Sequence, residues 1–67
     1  MKEMQLKALK RWEFEKLENG EYYTVIDNLE IQWSVEHQHG ACVIDGELSL
    51  IHDWDTLDNI MEQTAIY

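Results

Sequence analysis

Proline is absent from these 67 residues, and cysteine occurs once, at Cys42. A lone cysteine excludes an internal disulfide and suits a reducing compartment. With no proline and no Ser/Gly-rich linker the chain shows no internal boundary, so residues 1–67 are expected to form one domain, near the size at which burial alone sustains a fold. Long apolar runs are missing as well. The segment from Met1 to Leu9 is interrupted by Lys2, Glu3, Gln5 and Lys7, which leaves neither a signal-type apolar region nor a membrane span and predicts a cytoplasmic protein. Phosphate-binding loops, nucleophile elbows and dinucleotide fingerprints are also missing, so neither catalysis nor a cofactor is expected.

The absence that shapes the reading most is that of positive charge. Lys2, Lys7, Lys10, Arg11 and Lys16 are the only basic side chains besides three histidines, and residues 17–67 carry eleven carboxylates without a Lys or Arg. A net charge of −9 on so small a body repels nucleic acid and anionic membrane. It attracts basic surfaces through a field that salt screens. Solubility alone favours an acidic surface, but ordinary surfaces intersperse both signs.

What the chain does contain is material for a core. Apolar residues make up 45% of it and seven side chains are aromatic, a composition of folded rather than disordered chains. Turn signals divide it: Asn19-Gly20, Asp27-Asn28 and Asp45-Gly46 suit tight hairpins, and Gln38-His39-Gly40 suits a three-residue loop with Gly40 left-handed. Alternation between these turns predicts a register. Tyr22, Thr24, Ile26, Leu29, Ile31 and Trp33 share one apolar face, on which Val35, His37, Ala41, Val43, Leu48 and Leu50 follow. Tyr23, Val25, Glu30, Gln32, Ser34, Glu36, Cys42, Ile44, Glu47 and Ser49 then take the opposite face, with Glu21 beside them.

From Asp53 the period changes, and Trp54, Leu57, Ile60, Met61 and Ala65 recur at helical spacing. An amphipathic helix over residues 53–65, capped by Asp53, is predicted to cover the apolar face. The beginning is ambiguous. Helix formers favour a helix from about residue 3 to 18 ended at Asn19-Gly20, whereas Met4, Leu6, Ala8, Trp12 and Phe14 share strand parity. A strand over 11–18 fits the alternation better, with residues 1–10 open. The expected fold is α+β: a four- or five-stranded antiparallel meander packed by a C-terminal helix.

Three constellations could carry function. His37, His39 and Cys42 offer zinc-type ligands, but a structural site needs a fourth, and His37 by its parity suits the sheet margin, so no metal is expected. His52, Asp53 and Asp55 cluster at the helix start, where capping and the helix dipole already account for both carboxylates. Asp55, Asp58 and Glu62 share one helical stripe with no basic neighbour, and Glu62 lies beyond the first turn, where the dipole no longer favours an anion. With Glu30, Glu36 and Glu47 on the outer sheet face, two acidic surfaces are predicted, and Tyr23 supplies an aromatic anchor.

In charge and length the chain resembles phage-encoded DNA-mimic inhibitors of host defence or transcription. That resemblance implies a protein-binding role, with carboxylates standing in for phosphates on the basic surface of a nucleic-acid-handling enzyme or regulator, and no direct contact with nucleic acid or membrane. Two other readings differ in kind: a self-associating accessory subunit that pairs through a sheet edge or the basic leader, and a small metal-binding module.

Overall fold

The computed structural model describes residues 2–64. Its first element is a helix, α1 (Lys2–Arg11), over the stretch that the sequence leaves open between helix and strand. Gln5, Ala8 and Leu9 are its buried positions, and half-buried Trp12 continues that stripe at helical spacing. The stripe is masked in the sequence because a glutamine occupies its first position. Met4 and Leu6, which create the apparent alternation, are 56% and 41% exposed. Glu13 ends the helix with φ 64°; its amide donates to the Lys10 carbonyl at 3.0 Å, and the Phe14 amide donates to the Leu9 carbonyl at 2.9 Å. This closure satisfies the last carbonyls and folds Phe14 back against the core that contains Leu9. The strand expected over 11–18 contracts to β1 (Glu15–Lys16).

Four further strands follow: β2 (Tyr22–Ile26), β3 (Leu29–Ser34), β4 (His39–Ile44) and β5 (Glu47–Ile51). They form one antiparallel sheet in the order β1-β2-β3-β4-β5. The chain turns at Asn19-Gly20, but through a three-residue loop, Glu18 to Gly20, in place of the expected two-residue turn: Gly20 alone of the loop takes positive φ, at 90°, and the Leu17 amide donates to the Glu21 carbonyl at 2.7 Å. The β2–β3 register is the one the sequence predicts, with Tyr22 opposite Trp33, Thr24 opposite Ile31 and Ile26 opposite Leu29. Asp45 and Gly46 both take positive φ, 52° and 85°, and join Ile44 to Glu47 in a two-residue turn whose backbone twist matches the strands.

The expected register fails between β3 and β4. The connection is a four-residue loop, Val35 to Gln38, closed by Ser34 opposite His39. Gln38, not Gly40, is the left-handed residue, at φ 56°. Its amide donates to the Ser34 carbonyl at 2.8 Å, and Ser34 Oγ accepts from the His37 amide at 3.1 Å. Gly40 lies within β4 opposite Trp33, where an added Cβ would collide with the Gln32 carbonyl. A loop of four residues instead of three moves every later side chain to the other face. Cys42, Ile44, Glu47, Ser49 and Ile51 therefore belong with the core face, and Ala41, Val43, Leu48 and Leu50 with the outer one, the reverse of the sequence expectation.

The second helix, α2 (Trp54–Thr64), starts where the cap predicts, with Asp53 Oδ1 accepting from the Thr56 amide at 2.8 Å. Leu57 and Met61 are buried; Ala65, assigned to the same helix by the sequence, lies outside the described residues. Both helices lie on the inner sheet face, since Leu9, Leu57 and Met61 join Ile31, Trp33, Cys42 and Ile51 in one core cluster. Trp54 stacks on Trp12 with centroids 5.6 Å apart and meets Trp33 edge-on at 5.9 Å. No helix among the described residues is long and apolar enough to cross a membrane.

Candidate interaction surface

Helical spacing places Asp55, Asp58 and Glu62 on one side of α2, away from the buried Leu57 and Met61; Asp55 and Glu62 are exposed and Asp58 is half-buried. The spacing holds, but Asp58 is less exposed than the expected stripe requires. It begins beside Asp53, whose carboxyl is held below the ordinary carboxylate pKa by hydrogen bonding from the Thr56 side chain and then from the Thr56 amide. α2 carries no basic residue in its last turn, so neither side chain nor dipole offsets the charge of Glu62.

The second acidic surface does not form as expected. Glu30 alone of its three proposed members lies on the outer face, where Tyr23 Oη donates to its Oε1 at 2.9 Å. That hydrogen bond raises the Tyr23 phenol above its usual pKa, with desolvation and the neighbouring anion adding to the effect. Glu36 lies in the β3–β4 loop, which starts at Val35 rather than Gln38, and Glu47 on inner-face parity at the exposed edge, because a loop of even length reverses the faces of β4 and β5. Glu21 accepts from Gln32 Nε2 on the outer face. In place of an acidic line, that face is mainly apolar at the β5 side: Leu48 and Leu50 are 67% and 63% exposed, next to Val43 and Ala41. Across the sheet Val25 is 53% exposed.

Acidic residues collect instead at one end of the molecule. Asp27 and Asp45 occupy the left-handed positions of the β2–β3 and β4–β5 turns, and both line a shallow cavity of about 340 Å³ with Ile26, Leu29, Ile44 and Thr64. Thr64, the last described residue of α2, brings that helix to the same region. Backbone geometry explains a short polar residue at 27 and 45. It does not require a charged one, since asparagine serves such turns equally well.

The histidines and the cysteine are kept apart. Cys42 is 3% exposed on the inner face, while His37 and His39 are exposed with their rings stacked 5.9 Å apart. The placement of His37 at a core-facing sheet margin is likewise corrected, since it belongs to the exposed loop. No group of three or more His, Cys, Asp or Glu side chains among the described residues could hold a metal ion. A groove of about 450 Å³ between Arg11, Trp12, Thr24, Ile26, Met61 and Thr64 has Arg11 and Glu13 as its titratable described members.

Sequence reasoning missed Gln5 and Gln38. The Gln5 Nε2 donates to Gln38 Oε1 at 2.9 Å, the Gln38 Nε2 donates back to Gln5 Oε1 at 2.8 Å, and it also reaches the Val35 carbonyl at 2.7 Å. Gln5 is fully buried. This reciprocal pair ties α1 to the loop that sets the register of β4 and β5. A polar residue at the first position of an amphipathic stripe was the available signal. Comparison with protein-family models, with curated proteins and with solved structures gives no match.

Proposed function

We propose that this protein is a small binding module that seats its acidic side on the basic, nucleic-acid-handling surface of a partner protein, in the manner of a DNA mimic. The observation that carries this reading is the segregation of charge: residues 17–67 hold eleven carboxylates without a single Lys or Arg, and all five basic side chains lie on α1 and the segment through β1. The α2 stripe of Asp55, Asp58 and Glu62 is the centre of the contact. Asp27 and Asp45 at the end of the sheet extend it. Such a field steers a cationic partner at long range and loses strength as salt rises.

The test is capture from a bacterial lysate on immobilised protein at low salt, followed by elution with salt or with duplex DNA. Nucleic-acid-binding proteins should be retained, and both eluents should release them. The triple variant Asp55→Asn, Asp58→Asn, Glu62→Gln should retain them poorly while keeping its circular dichroism. Retention indifferent to salt, or unaffected by the triple substitution, would overturn the proposal.

A further inference from the structure

We infer that β5 is a homodimerisation edge, across which two copies pair antiparallel about a two-fold axis at Ser49. The inference is independent of the proposed function. The two edges of the sheet differ sharply. β1 has two residues, both charged, which blunts it. β5 has five residues, of which Glu47 alone is charged, with no lysine, no proline and no bulge in its pairing to β4. Natural edge strands avoid that combination unless something pairs with them.

The backbone specifies the register. Ile44 and Glu47 close a two-residue turn and so exchange hydrogen bonds, and in an antiparallel ladder bonded and non-bonded pairs alternate. Glu47, Ser49 and Ile51 therefore direct their amides and carbonyls to β4. Leu48 and Leu50 direct theirs to the open edge. Setting Ser49 opposite its own copy brings Leu48 opposite the second copy's Leu50 as a bonded pair, and the same pair recurs on the other side of the axis. All four outward backbone donors and acceptors of each β5 are then satisfied.

The side chains suit this register. Leu48 and Leu50, 67% and 63% exposed on the outer face, join their copies in a four-leucine cluster continuous with Val43 and Ala41. Glu47 falls opposite Ile51, so the single charge of the edge never meets its like. Charge also argues for a second copy over a cationic partner here, because Glu47 is the one carboxylate that β5 itself carries. One strand pair with four leucines is smaller than a standard interface of about 1,600 Å², so the dimer is weak and concentration-dependent. Each copy carries −9, and salt must therefore strengthen the association, the opposite of its effect on a basic partner.

Analytical ultracentrifugation of the full chain across concentration, at low and high sodium chloride, tests the inference together with amide hydrogen exchange. The expected result is a monomer–dimer equilibrium that salt shifts toward dimer. The Leu48 and Leu50 amides should gain protection at high concentration while that of Ser49 stays unchanged. Leu48→Glu should weaken the dimer by at least about tenfold with an unaltered fold, because it sets like charges beside the axis. A strict monomer at high micromolar concentration in high salt would overturn the inference. So would a dimer that leaves the Leu48 and Leu50 amides unprotected, since that dimer would use the sheet face or α1.

Discussion

At the scale of single residues, Asp53 shows how a carboxylate near a candidate surface can be fully occupied by structure. Its Oδ1 caps the first turn of α2 and its pKa is lowered by the Thr56 hydrogen bonds. A group whose folded pKa is depressed contributes stability that is complete above its unfolded pKa and is lost as pH falls through the folded value. Asp53→Asn keeps an acceptor but removes the charge. The variant should melt a few degrees below wild type at neutral pH, and the gap should close as pH falls below about 4, read by thermal scans of both proteins. A gap constant with pH would mean that charge plays no part in the cap. Asp53 was legible in the sequence because capping is local.

At the scale of elements, the register of β4 and β5 depends on a contact across 33 positions of sequence, the Gln5–Gln38 amide pair between α1 and the β3–β4 loop. Gln5→Leu leaves the half-buried Gln38 amide with the Val35 carbonyl as its partner, so it should cost about 0.5–1.5 kcal/mol in urea unfolding. Gln38→Gly removes the other partner while easing the left-handed backbone. Combined, the two substitutions should cost less than the sum of their separate effects, as residues in one hydrogen-bonded pair do. Strict additivity would show that the pair does not couple helix to loop. Alternation predicted β2 and β3 correctly because a two-residue turn fixes their pairing locally. It failed after Ser34 because the choice between a three- and a four-residue loop was made by Ser34, Gln38 and Gly40 together with a distant helix.

At the scale of the whole molecule, fourteen carboxylates face five Lys or Arg side chains, and the basic ones are confined to the N-terminal quarter. Self-repulsion on this scale opposes the compact state and is screened by salt. The melting temperature should therefore rise with sodium chloride from low to physiological ionic strength, measured by calorimetry below the concentration at which copies associate. A melting temperature that falls with salt would mean that α1 already compensates the acidic body. The same net charge bears with opposite signs on the two proposed interactions, which makes salt the variable that separates them.

The sequence by itself determined the α+β class, the meander order, the two-residue turns at Asp27-Asn28 and Asp45-Gly46, the capped second helix and the spacing of its carboxylates. Each of these depends on residues within a few positions of one another, where propensity and periodicity act directly. Tertiary structure alone decided that α1 ends at Glu13, that Gln38 takes the left-handed position, and that the later strands turn Leu48 and Leu50 outward. Strand side chains alternate with a period of two, so a single residue gained in one loop, stabilised by a partner 33 positions away, reverses the faces of everything that follows. The outer sheet surface, which residue order made acidic, is for that reason apolar at its open edge.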